Sequence, residues 1–215
     1  MSARNNILRR IRALQGKPPS PTAGEREAVR AYLQTRARSP RPAADGEPAT
    51  RFHERALSLA STCDDVAAAA HIPAAVADYL RKNDLPMRAV CWPAWAALDW
   101  AGSGVAVEAR GARSDDLVGI TGAFCAIAET GTLMMVSGAA TPAAASLLPE
   151  THIAIVSRAR IVRGMEEAWQ LLRAEHAVMP RAVNFISGPS RTADIEQTVS
   201  LGAHGPYRVH IILVP

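Results

Sequence analysis

Three consecutive runs decide the fold class: Thr151-His152-Ile153-Ala154-Ile155-Val156-Ser157, then Gly164–Glu175, then Ala182–Ile186. The first is an apolar, β-branched run with Pro149 just before it, which is the pattern of a strand. The second gathers Met165, Ala168, Trp169 and Leu172 on one face at helical spacing. The third is short and apolar again. Strand, helix and strand in this order imply right-handed crossovers and a largely parallel sheet.

Working outward, Arg208–Val214 reads as a closing strand, and Thr132–Ser137 and Arg88–Trp92 as earlier ones. A brief Ala/Leu/Trp helix is expected after Trp92. Arg51–Ser61 reads as a helix. Pro73 suits a first helical position, with Val76, Tyr79 and Leu80 on one face before Asn83-Asp84. No repeat of fixed period occurs. The expected fold is a three-layer α/β domain with a mostly parallel sheet, preceded by a helical arm.

The arm differs in composition from the rest. Residues 1–41 carry ten Lys and Arg against Glu25 and Glu27, a net +8, leaving 14 bases and 18 acids, net −4, in the remainder. Ile7, Leu8, Ile11 and Leu14 follow helical spacing until Gly16 and the Pro-rich run 17–21, and a second helix is expected over Glu25–Arg38. Residues 39–48, rich in Pro, Ala and charge, read as a linker. The expected division is therefore a basic helical arm and linker over 1–49 and an α/β domain over 50–215. A basic arm can meet nucleic acid, membrane or an acidic partner, and an Arg-rich, acid-poor start resembles a transit peptide. A solvated amphipathic helix is the plainer reading.

Composition excludes several classes. No run approaches the roughly 18 apolar residues of a membrane span, and with no secretory signal visible the expected location is cytoplasmic. Cys63, Cys91 and Cys125 form no CxxC pair, and three thiols cannot supply a four-thiolate iron–sulfur site. The six histidines show no metal-ligand spacing, and the Walker A, GxGxxG, GxSxG and HExxH patterns are missing. Neither a metal nor a cofactor is expected in this chain.

Two segments carry unusual local chemistry. Val118–Thr132 holds two Thr-Gly steps and one acid, Glu129, alone between Leu117 and Ala145. A carboxylate in apolar surroundings tends toward a raised pKa and can act as acid, base or nucleophile. Gly131, between Thr130 and Thr132, would let a backbone N–H approach a bound group closely. The structural alternative is a helix-to-strand turn in which Glu129 bonds backbone N–H groups. Ser187–Thr198 follows a strand, and its Gly188, Ser190, Arg191 and Thr192 would open a helix offering N–H donors and a guanidinium to a carboxylate or phosphate. Against this, Asp194 and Glu196 would already answer the helix dipole. His204, in a glycine-flanked loop, is a candidate proton carrier.

These segments resemble the lactate utilization protein C family, whose domain is the LUD domain. The resemblance rests on Gly119–Thr132, with its core Ala128-Glu129-Thr130-Gly131-Thr132, on Ser187–Pro206, with Gly188-Pro189-Ser190-Arg191-Thr192-Ala193-Asp194-Ile195-Glu196, and on Pro149 with His152-Ile153. It covers Arg51 to the last residue and does not extend to the arm. It implies a fold similar to the sugar-phosphate isomerase and CoA-transferase superfamily. It also implies membership of a system that oxidises L-lactate to pyruvate with iron–sulfur clusters carried by partner subunits.

Three functions follow as expectations. The first is a non-iron–sulfur subunit of that system, with Arg191 gripping a small anion, or a partner, and Glu129 or His204 moving a proton. The second is a self-sufficient transferase or isomerase in which Glu129 forms an acyl adduct or acts as base. The third is a nucleic-acid-binding regulator using the arm, for which the lone aromatic Tyr32 offers no stacking platform.

Overall fold

Thr151–Ser157 is a central strand. Hydrogen-bonded on both sides and buried from Thr151 to Val156, it lies inside a sheet covered on both faces. The computed structural model describes residues 2–38, 40, 46–193 and 200–215. These fall into two compact units, Met1–Ala43 and Ala44–Pro215.

The first unit holds α1 (Ala3–Leu14) and α2 (Ala23–Thr35). Gly16, at φ +66°, follows α1. A reciprocal cap starts α2: Thr22 Oγ1 accepts from Glu25 N, and the Glu25 carboxylate accepts from Thr22 N. Arg12 of α1 reaches the same carboxylate at 2.7 Å, which holds Glu25 down at about 2. Arg36 adopts a left-handed conformation directly after α2, three residues short of the expected end.

In the second unit the chain runs α3 (Pro48–Ser58), β1 (Thr62–Asp65), α4 (Ile72–Lys82), β2 (Arg88–Cys91), β3 (Ala106–Ala109), β4 (Val118–Gly122), β5 (Cys125–Ile127) and β6 (Thr132–Val136). It continues through α5 (Ala144–Leu147), β7 (Thr151–Ser157), β8 (Ile161–Val162), α6 (Met165–Glu175), β9 (Val183–Ile186), β10 (Arg191–Thr192), β11 (Ser200–Leu201) and β12 (Arg208–Val214). Six strands form the central sheet in the order β1-β12-β7-β4-β2-β3, all pairs parallel. The expected α/β class with a mostly parallel sheet is what the chain adopts. Edge strands β1 and β3 expose Asp64, Asp65 and Glu108, charges that discourage pairing with another sheet.

A second sheet, β8-β5-β6-β9, is mixed: β6 pairs antiparallel with both β5 and β9, and β8 runs parallel to β5. Alternation along the strands sorts the apolar side chains into separate cores. On one face of the central sheet, Ile153, Ile155, Ile212 and Val214 pack with Val76 and Leu80 of α4. On the other, Ala154, Val156, Ile211 and Leu213 meet Phe52 and Ala56 of α3 and Ala126, Leu133 and Met135 of the second sheet. That sheet turns Cys125, Ile127 and Met134 outward onto Ala168 and Leu172 of α6. The run 151–186 is therefore not one crossover within one sheet: its second strand, β9, belongs to the smaller sheet. The expected helix after Trp92 is a single 3-10 turn, Pro93–Trp95.

Candidate functional site

Glycines show how the two segments are held. Gly131 closes the turn between β5 and β6 at φ +66°, and a Cβ there would lie 2.7 Å from Ala56 N in α3. Gly188 follows β9 at φ +80°, and a Cβ there would lie 2.3 Å from Leu59 O, at the end of the same helix. Both distances are far inside van der Waals contact, and both dihedrals favour glycine. The close approach expected of Gly131 toward a ligand is thus an approach to the backbone of α3. One helix is clasped by both segments.

The segments also bond to each other. Thr130 Oγ1 donates to Thr132 Oγ1 at 2.8 Å, and Thr132 Oγ1 stands 2.7 Å from Ser187 Oγ. A hydroxyl oxygen accepts up to two hydrogen bonds and donates one, so Thr132, receiving from Thr130, can either donate to Ser187 or accept from it. Thr130 is half-buried, Thr132 buried and Ser187 exposed, so this relay passes through the interior and ends at the surface. Arg191 comes to the same place: its Nη2 donates at 3.0 Å to Leu59 O, the carbonyl that Gly188 faces. A guanidinium at a helix C-terminus complements the dipole, and Arg191 remains exposed.

The expected helix opening at 187–198 is not what residues 187–193 form. Arg191 and Thr192 are extended and pair antiparallel with Leu201 and Ser200. Ser190 N donates to Pro206 O at 2.9 Å, so that N–H is not offered to an anion as expected, and Ser190 Oγ accepts from His204 N at 3.3 Å. Backbone pairing between the two loop limbs has displaced the helical turn. Asp194 and Glu196 lie outside the described residues. His204 is exposed beside Ser190.

Glu129 faces elsewhere. Its Oε2 accepts from Met165 N at 3.4 Å, in the first turn of α6, and its own N–H donates to Arg163 O. It does bond a backbone N–H, in a turn between two strands. Among the described residues no hydrogen bond or ion pair joins Glu129 to Arg191. The structure thus brings together Thr130, Gly131, Thr132, Gly188, Ser190, Arg191 and His204, sets Thr192 in the short hairpin, and turns Glu129 toward α6.

Sequence reasoning passed over two features. Leu59 carries the carbonyl on which the segments meet, and an apolar helix end gives no signal of that role. His152 is fully buried, with Nε2 2.7 Å from Thr121 Oγ1 and Nδ1 without a partner among the described residues, and burial pushes its pKa down to about 4. A histidine in the run Thr151–Val156 was the available signal.

The cysteines do not converge. Cys91, Cys63 and Cys125 each stand in or against a different apolar core, and burial raises their thiols to about 11, about 12 and about 11 respectively. Metal-binding thiolates need the opposite shift. No group of three or more His, Cys, Asp or Glu side chains among the described residues is placed to hold a metal ion. No helix among them is long and apolar enough to cross a membrane.

Comparison with known proteins agrees with these segments. The LUD domain family model matches residues 95–214. Lactate utilization protein C of Bacillus subtilis is 41% identical over 100 residues, 45% of this chain and 42% of the relative. Lactate utilization protein C of an Exiguobacterium species is 36% identical over 138 residues, 63% of this chain and 60% of the relative. The chain spans about half the length of the curated relatives it matches. The crystal structure of a DUF162 family protein from Deinococcus radiodurans aligns with a TM-score of 0.59 and 26% identity, covering 81% of this chain and 100% of that one. The family match takes in both strands that carry the Thr130–Thr132–Ser187 relay and the hairpin that carries Arg191, and the chain belongs to the LUD domain family.

Proposed function

We propose that this chain serves lactate utilization, as a subunit without a redox centre in a system that oxidises L-lactate to pyruvate. Iron–sulfur partner subunits carry the electrons, and this chain holds a small carboxylate, or a partner, at its clasped surface. The observation that carries the reading is the hydroxyl relay ending at exposed Ser187, next to Gly188, which packs against the Leu59 carbonyl that Arg191 bonds. An exposed hydroxyl and a guanidinium beside it suit a carboxylate oxygen pair. Names borne by the relatives support lactate as the context. The separation of the three thiols among different cores supports electron carriage by other subunits.

Lactate-dependent dye reduction by the two iron–sulfur partners, with and without this chain, tests the proposal. Activity is expected only when the chain is present. Arg191→Ala should remove that activity while lowering stability by about 1 kcal/mol, the scale of one hydrogen bond at an exposed helix end. Full activity without the chain overturns the assignment. Full activity with Arg191→Ala removes the anion grip and leaves partner docking.

A further inference from the structure

Strand order in the central sheet marks a second location. β2 and β4 are neighbours, and the connections leaving them diverge. The one after β2 goes outward to β3, and its Trp100 and Val105 pack in the core on the α4 face. The one after β4 goes the other way to β7, through the second sheet, whose Ala126, Leu133 and Met135 pack on the opposite face. Parallel strands whose connections part to opposite faces leave a crevice outside their carboxyl ends, where open α/β sheets bind ligands.

A cavity of about 210 Å³ lies there, lined by Trp92, Ala123, Phe124, Val136, Thr141 and His176. Trp92 directly follows β2, and Ala123 and Phe124 directly follow β4. The walls are aromatic on several sides: Phe124 and His176 stand 5.7 Å apart with their planes at 58°. The Trp92 indole N–H is spent on Pro142 O at 3.2 Å, which leaves the carbon surface of the ring for contact. Nearby charge is neutralised: Arg160 lies over the Phe124 ring at 4.6 Å, donates to Phe124 O and is held in a two-pronged pair by Glu175.

Polar atoms in the cavity are few and defined. Thr141 Oγ1 donates to Val136 O at 2.8 Å, so toward the cavity it can only accept. The His176 ring has no hydrogen-bond partner among the described residues. Behind the wall, Trp95 packs against Gly122, and its indole N–H is buried without an acceptor among the described residues. Aromatic walls favour a ring through offset and edge contacts, and the volume is below the roughly 300 Å³ at which drug-sized pockets begin.

We propose that this crevice binds one neutral planar ring, aromatic or heteroaromatic, bearing an N–H donor that meets Thr141. The site is separate from the Ser187–Arg191 surface and its occupant is chemically unlike lactate, which is small, charged and not flat.

Benzamide serves as the probe, with cyclohexanecarboxamide as its saturated counterpart, titrated into the isotope-labelled full chain and followed by the Trp92 indole and Thr141 amide signals in NMR. Benzamide is expected to shift both signals with millimolar affinity, and the saturated amide to bind about tenfold more weakly. Ala123→Leu, which fills the cavity, should abolish the shifts. Thr141→Val, which keeps the cavity but removes the acceptor, should weaken binding severalfold in a protein that still folds, its melting temperature slightly lower for the lost bond to Val136 O. No benzamide shift, equal shifts from both amides, or undiminished binding to a folded Ala123→Leu protein would each overturn the site. None of these outcomes bears on lactate-dependent activity.

Discussion

The two faces of the central sheet solve the same covering problem by different means. On one face α4 lays Ile72, Val76, Ala77 and Leu80 over the strands, an amphipathic helix on an apolar surface. On the other, α3 and the second sheet share the work, and α3 is pinned by two glycine turns and a guanidinium. The first face is held by area, and most of its contacts tolerate small shifts. The second depends on backbone-to-backbone approaches that no side chain can relax. Both family segments lie on that second, less forgiving side, so side-chain volume at their glycines is constrained by fold as well as by any ligand.

Gly188→Ala is the strongest way to break this contrast. The new Cβ would meet the Leu59 carbonyl at 2.3 Å, in a backbone region that alanine avoids. A loss of about 4 kcal/mol is expected from the combination of strain and overlap. Urea unfolding of the variant measures it. A loss under about 1 kcal/mol, the scale of an ordinary surface substitution, would mean that α3 is free to move and that the clasp is not a constraint.

Acid sharpens the comparison, because each face buries one histidine. His210, toward α4, stacks on Tyr79 at 3.9 Å and bonds Thr62 Oγ1, and Asp64 stands 3.5 Å from its Nε2. His152, on the opposite face, has only Thr121. Burial pushes both down to about 4. The folded chain therefore binds fewer protons than the unfolded one between the ordinary histidine value of 6.5 and about 4. Stability is present in full above that window and is lost as the pH falls through it. His152 alone accounts for up to about 3 kcal/mol of this loss. Protonated His210 faces half-exposed Asp64, whereas protonated His152 stands beside one hydroxyl with no counter-ion among the described residues. Unfolding free energies from pH 7 to 4.5 should slope less steeply in His152→Leu than in the parent chain. An unchanged slope would remove His152 as the acid-sensitive group.

The covering by area was the part most legible in the sequence. β7 and β12 read as continuous apolar strands and α4 as an amphipathic helix because their periodicity is local. β1 and β3 are four residues each with acids among them, and edge strands need no apolar run. β4 was obscured by Gly119 and Gly122, yet a Cβ at Gly119 would lie 2.1 Å from Ala145 O, so that glycine answers the passage of α5 over the strand. The two site segments stood out by composition. Their meeting on Leu59 did not, because the partner is a main-chain carbonyl, which every residue has. Nor could spacing reveal that Arg191 would be extended: its partner Leu201 is ten residues on, and a helical opening was the local preference.

Glu129→Gln separates chemistry from architecture at the smallest cost. The carboxylate sits at the first turn of α6, accepting from Met165 N at a long 3.4 Å. Glutamine keeps an acceptor of the same reach and removes only the charge that the helix N-terminus favours. The expected loss is about 0.5 kcal/mol, within the range for one charge near a helix end, and chemical denaturation at low and high salt should show it shrinking as salt screens the field. If Glu129 serves only to start α6, lactate-dependent dye reduction will fall no further than this small destabilisation explains, and the intact mass after incubation with an acyl-CoA will be unchanged in parent and variant alike. A large loss of turnover in a variant of nearly full stability would mean that the carboxylate leaves α6 during the reaction and acts on the substrate. In that case the family segment Ala128–Thr132 would carry chemistry as well as the clasp.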